Sequence, residues 1–209
     1  MAWRDAWSIR QFRIKFISGS IIFCLILLFF PIFFNMIEQR RGPQLNDWLL
    51  NALPSVDVSL PTFIIIWSMT AWLLSRCTQS PKLCLQFLCS IILLFSLRMI
   101  AIMLLPLDPP PGLIPLKDPV SSLVYGGTNV FITRDLFFSG HTSVQFLIFL
   151  SLKNRAEKGI ALIATISVAS MVLLQHVHYA IDVLCAIPIT YLVYWWGTKI
   201  SEYYKASPS

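Results

Sequence analysis

Ser139, Gly140, His141 and Thr142 form one run of this chain, and His178 with Asp182 form a second, each where an apolar segment meets a polar loop. Residues four apart on a helix share a face, so the Asp182 carboxylate can hold one nitrogen of His178 and leave the other basic. An imidazole held in this way is a nucleophile, and a carboxylate beside an apolar span is costly unless it is paired or solvated. The Ser139–Thr142 run is predicted to open a helix, whose unpaired N–H groups and positive dipole end receive anions. Gly140 lets the anion approach the backbone, and Ser139 and Thr142 add hydroxyl donors. His141 supplies a second imidazole to protonate a departing oxygen. The three-part site expected is therefore His178 as nucleophile, Asp182 as its orienter and His141 as acid. Such acid–base help speeds phosphoryl transfer by about 10²–10⁴-fold.

Each cluster also has a purely structural reading. Ser and Thr at a helix start are ordinary caps, and a His–Asp pair can be a simple brace. Both clusters on one predicted face favour chemistry over either reading taken alone. Arg98 and Arg134 are the cations at hand to offset charge on phosphoryl oxygens, although an arginine near a span end also snorkels to headgroups. His176, two residues from His178, points elsewhere on a helix and is expected as a neighbour or supporting group. A His-x-His metal site lacks nearby carboxylate or thiolate ligands. No metal or cofactor is expected.

These residues must be carried by elements that cross a membrane. The 209 residues are 56% hydrophobic and 12% charged, with a mean hydropathy of +0.71, outside the range of soluble domains. Nearly charge-free stretches cover 16–36, 58–75, 83–107, 136–152, 159–175 and 183–198. Each is near the ~17–25 residues a tilted helix needs to cross about 30 Å of hydrocarbon. Lipid satisfies no backbone polar groups, so the spans are helices. The expected fold class is all-α, a single six-span domain over 1–209.

If the spans alternate sides, most basic residues fall together: those of segments 4–15, 76–82, 153–158 and 199–205 on one side, against Arg40, Arg41, Arg98, Lys117 and Arg134 on the other. The positive-inside rule then puts both termini in the cytoplasm and the site on the periplasmic or luminal face. The net charge of +6 is a topology signal and calls for no nucleic-acid partner. The first apolar run is too long for a cleaved leader and no small-residue cleavage site follows it, so it is read as an anchor. Cys24, Cys77, Cys84, Cys89 and Cys185 fit no disulfide framework and no zinc spacing, and are read as packing residues.

Two outer loops flank the site. Residues 37–60 carry the breaker Arg40-Arg41-Gly42-Pro43 and are expected to pack as a lid. Residues 107–135 are bordered by Pro106 and carry Pro109, Pro110, Pro111, Pro115 and Pro119, which stiffen the path. The links at 76–82 and 153–158 read as short basic turns.

The run Asp135, Leu136, Phe137, Phe138, Ser139, Gly140, His141, Thr142, with His178, Tyr179, Ala180, Ile181, Asp182, Val183, resembles the type 2 phosphatidic acid phosphatase superfamily in its sphingomyelin synthase-related branch. That branch reads close to Gly-Asp-x-x-x-Ser-Gly-His-Thr and His-Tyr-x-x-Asp-Val. Leu53-Pro54 with Asp57, and Arg98, sit where related members carry weaker motifs. The resemblance implies a phosphohistidine on His178 and leaving-group protonation by His141. It also implies a substrate held among Ser139, Gly140, Thr142, Asp135, Arg98, Arg134 and Tyr179. The donor implied is a phospholipid, and the acceptor a lipid alcohol or water.

The chain departs from the broader phosphatases. Their Lys-x6-Arg-Pro run is missing, Met171 and Val172 stand at the Ser-Arg positions before the nucleophile, and Thr133-Arg134 replaces the branch's Cys-Gly. A phosphomonoester carries up to two charges and a phosphodiester one, so the thinner cation set leans towards moving a phosphocholine- or phosphoethanolamine-like headgroup between lipids. Hydrolysis by water and a non-catalytic lipid-binding or transport bundle are the other readings.

Overall fold

The computed structural model describes residues 2–117 and 132–203; Pro119, Tyr204 and Lys205 lie outside them. The described residues form helices α1 (Trp3–Ser8), α2 (Arg10–Glu38), α3 (Trp48–Ala52), α4 (Ser59–Gln79), α5 (Pro81–Leu104), α6 (Gly140–Ser151), α7 (Arg155–Leu174) and α8 (Ala180–Ser201), and no strand. The all-α, polytopic expectation is met. Five of these helices, α2, α4, α5, α7 and α8, are long and apolar enough to cross a membrane.

The helices outrun the apolar windows because nothing in their charged ends breaks a helix. α2 starts at Arg10, six residues before its apolar stretch, and α4 runs on to Gln79. The expected turn at 76–82 is tighter than its charges suggest: Ser80 caps α5 by accepting from Leu83 N, and Pro81 takes the first helical position, where its missing N–H costs nothing. Asn154 caps α7 in the same way. α5 stops at Leu104, ahead of Pro106.

The fourth stretch differs most from expectation. α6 has 12 residues and not 17, about 18 Å of helix, too short to cross hydrocarbon alone. It sits centrally, packed against α4, α5, α7 and α8. Non-helical backbone at membrane depth is tolerated when protein satisfies it, and here it is satisfied. Glu38 Oε1 accepts from Thr133 N at 2.6 Å and Arg134 N at 2.7 Å, Phe138 O accepts from Arg98 Nε at 2.9 Å, and Ser139 N donates to Asp182 O at 3.1 Å.

Two apolar clusters hold α6. Leu147 and Phe138 pack with Ile91 and Leu94 of α5 and Ala186 and Val193 of α8. Ile148 and Leu152 pack with Met69 and Leu73 of α4 and Ala161 and Ala164 of α7. α2 lies at the edge, chiefly on α5, and leaves Ile21, Leu25, Leu28 and Ile32 exposed, as a lipid-facing helix does. At the opposite end from the site, Trp3 Nε1 donates to Thr78 O at 2.7 Å, and Lys15 Nζ donates to Ile200 O at 2.7 Å and Glu202 O at 2.5 Å.

Candidate active site

The site forms where α6 and α8 begin side by side. At α6, Ser139 is the N-cap: its Oγ accepts from Thr142 N at 3.4 Å and donates to Thr142 Oγ1 at 3.1 Å, and both residues are fully buried. These hydroxyls therefore perform the capping role as well as standing at the site. A Cβ on Gly140 would collide with the Arg98 guanidinium, so glycine is what allows that charge to lie against the helix start. Arg98 is fixed there by its bond to Phe138 O and by Asp135, whose Oδ1 lies 2.7 Å from Nη2. A guanidinium and a helix N-terminus thus converge, both electropositive.

At α8 the chain enters through Gln175–Tyr179. Asp182 Oδ2 accepts from Tyr179 N at 2.9 Å, and Asp47 Oδ2 accepts from Ala180 N at 2.6 Å. Two carboxylates therefore hold the consecutive amides that follow His178. His178 is 3% exposed, and its Nδ1 lies 3.5 Å from Asp182 Oδ2. That is just beyond the usual length of a hydrogen bond. Nδ1 and Asp182 Oδ1 have no hydrogen-bond partner among the described residues. The arrangement turns Nδ1 to the carboxylate and Nε2 away from it.

The two imidazoles meet across the helices. His141 and His178 ring centroids are 6.2 Å apart at 63°, and Phe63 of α4 stands edge-on to His141 at 6.1 Å. His141, His178, Asp182, Ser139, Gly140, Thr142, Arg98 and Asp135 are thereby gathered at one end of the bundle.

Arg134 and Tyr179 take other partners. Arg134 forms an ion pair with Asp108. Tyr179 is fully buried, its hydroxyl donating to Asp108 O at 2.9 Å and accepting from Leu45 N at 3.1 Å. It ties both outer loops to the start of α8. His176 Nδ1 donates to Pro111 O at 2.8 Å, from a backbone at φ 55°.

The two loops clasp the entrance to α8. Val56 N donates to Leu174 O at 2.9 Å and Ile114 N to Gln175 O at 3.1 Å. The buried Gln175 side chain donates to Ser59 Oγ at 2.7 Å and accepts from Val58 N at 3.2 Å. Asp108 accepts from Gly42 N at 3.0 Å, and that amide, followed by the Arg134 guanidinium, holds its carboxyl below the usual range. The Asp57 carboxyl is lowered mainly by the Ser59 hydroxyl at 2.7 Å.

Sequence reasoning missed Glu38, Asp47, Asp108 and Gln175. Asp47 before Trp48 carries a readable cap signal for α3, where its Oδ1 accepts from Leu49 N and Leu50 N. Its second bond, to Ala180, has no local signal. Among the described residues no group of three or more His, Cys, Asp or Glu side chains could hold a metal ion.

Comparison with curated proteins gave no match. Residues 134–199, about a third of the chain and the part that spans α6 to most of α8 with both histidine motifs, match the PAP2 superfamily C-terminal family model, a similarity that supports a PAP2-type site here.

Proposed function

We propose that this protein is a membrane enzyme that moves a phosphorylated headgroup from a phospholipid to a lipid alcohol through a phosphohistidine. The PAP2 match supports lipid phosphatase or phosphotransferase chemistry in general, and the transfer reading goes further. The observation that carries it is the His141–His178 pair at 6.2 Å with Asp182 behind His178.

His178 Nε2 attacks phosphorus, and the bond from phosphorus to the donor's glycerol oxygen breaks. Protonated His141 gives its proton to that oxygen, and a diacylglycerol-type alcohol leaves. His141, now neutral, takes the proton of the acceptor hydroxyl. The new oxygen bonds to phosphorus while the P–N bond breaks, and both histidines return to their starting states. Arg98 and the amides at the start of α6 stabilise charge on the phosphoryl oxygens. One guanidinium at this site suits a singly charged phosphodiester better than a dianionic monoester. Both termini lie in the cytoplasm in this reading, and the site faces the periplasm or an organelle lumen.

The test is purified protein with phosphatidylcholine or phosphatidylethanolamine, with and without ceramide or a second, labelled diacylglycerol. Transfer yields a labelled headgroup lipid only when the alcohol is supplied. Release of phosphate or phosphorylated headgroup at the same rate with and without the alcohol assigns hydrolysis. A functional protein indifferent to His178→Ala and His141→Ala is a binding bundle.

A further inference from the structure

Gln145 is a buried polar group that the chemistry above does not use. It lies on α6, four residues after His141, and is 1% exposed. Neither Oε1 nor Nε2 has a hydrogen-bond partner among the described residues. Buried side-chain amides are nearly always hydrogen-bonded, and one left orphaned at membrane depth asks for an explanation.

The position of Gln145 supplies one. Residues i and i+4 stack on one helix face, so Gln145 lies one turn, about 6 Å, below His141. Cα–Cβ bonds tilt towards the helix N-terminus, so this side chain leans up to the turn that carries His141. The same face continues to Ile148, which packs with Met69, Leu73 and Ala164, while Phe63 stands against His141 above. The amide is thus set in the strip of α6 that continues into the Ile148 cluster with α4 and α7, one turn below His141. His141 itself is only half-buried, so the strip is reached past its ring.

A phospholipid held with phosphorus between the two histidines places its first hydrogen-bonding backbone groups, the ester or amide carbonyls, about one helical turn deeper among its chains. We propose that the Gln145 side chain is a subsite for that carbonyl, with Nε2–H donating to it, and that it selects lipids with an acyl linkage over ether-linked ones. The subsite rests on the functional reading above, and it deepens that reading from headgroup chemistry to lipid backbone.

The experiment compares wild type and Gln145→Leu in mixed micelles that hold a fixed, saturating amount of a diacylglycerol acceptor, on matched diacyl and dialkyl-ether phosphatidylcholine and phosphatidylethanolamine. p-Nitrophenyl phosphorylcholine, which has no glycerol backbone, serves as a soluble control. The expected result is a wild-type kcat/KM for the diacyl lipid roughly fivefold above the ether lipid, the worth of one hydrogen bond. Gln145→Leu brings that ratio to about one, chiefly through KM, and leaves the soluble ester unchanged. That last rate also shows the variant to be folded.

If wild type turns over the soluble ester but treats diacyl and ether lipids alike, the subsite is overturned and the catalytic reading stands. An unchanged ratio in Gln145→Leu has the same meaning, even if its thermal stability shifts. If wild type turns over none of these probes, the functional reading fails and the subsite fails with it.

Discussion

The backbone N–H of Ser139 donates to the carbonyl of Asp182 at 3.1 Å. One hydrogen bond therefore joins the residue that opens α6 to the carboxylate residue in the first turn of α8. It accounts for how His141 and His178, more than thirty residues apart, are held with their rings 6.2 Å apart. It also explains why α6 starts as late as Gly140, since the peptides before it are engaged by Asp182, Arg98 and Glu38 and not by a helical ladder.

The leaving-group role of His141 predicts a substrate-dependent loss. A lipid alkoxide is a poor leaving group and needs the proton, whereas p-nitrophenolate does not. His141→Ala is expected to lower turnover of phospholipid by about 10²–10⁴-fold, and to lower the first-turnover burst of p-nitrophenolate from p-nitrophenyl phosphorylcholine far less. Equal loss on both would assign His141 to binding and not to proton transfer.

Gly140→Ala puts a Cβ into the Arg98 guanidinium. Arg98 must then leave Asp135 or Phe138 O, and breaking this part-buried ion pair leaves a charge without its partner. The variant is expected to unfold at lower temperature in detergent and to lose activity. Arg98→Met, which strands Asp135, should do the same. A Gly140→Ala protein with wild-type melting and rate would mean that Arg98 does not sit against the helix start.

Asp47 ties the first outer loop to the amide two residues after the nucleophile. Asp47→Ala removes a cap worth about 1 kcal/mol and loosens the turn that aims His178. A roughly three- to tenfold fall in kcat is expected, with KM nearly unchanged and partial recovery in Asp47→Asn. A change confined to KM would place Asp47 at substrate and not behind His178.

The Asp108 clasp has a defined pH window. Its folded carboxyl titrates below the unfolded value of about 3.9, because Gly42 N and Arg134 favour the charged form. The contribution is therefore full above that value and fades as pH falls through the lowered folded one. Limited proteolysis of the outer loops should be faster in Asp108→Asn than in wild type near neutral pH, with the difference vanishing in strong acid. A difference that persists there would assign the protection to other contacts.

Much of this was legible in the residues. Runs of apolar side chains determine helices in lipid; the pairing of His178 with Asp182 is also expected, but it does not arise on a shared helix face, because His178 stands in the turn before α8, which begins at Ala180. The identity of α6 as a short central helix was not legible, because hydropathy over 136–152 cannot distinguish helix from irregular backbone that Arg98 and Glu38 satisfy from distant elements. Tyr179 is expected among the residues that hold substrate, yet its hydroxyl reaches Asp108 and Leu45, partners fixed only by the folded loops. Gln145 reads as an ordinary span residue until the fold buries it with neither polar atom hydrogen-bonded among the described residues.

The stereochemical course at phosphorus tests the central claim most directly, using wild-type protein and a phospholipid made chiral at phosphorus with sulfur and an oxygen isotope. Transfer through a covalent adduct on His178 requires two in-line displacements and predicts net retention. Net inversion would show a single direct displacement by the acceptor, and would remove His178 as the nucleophile.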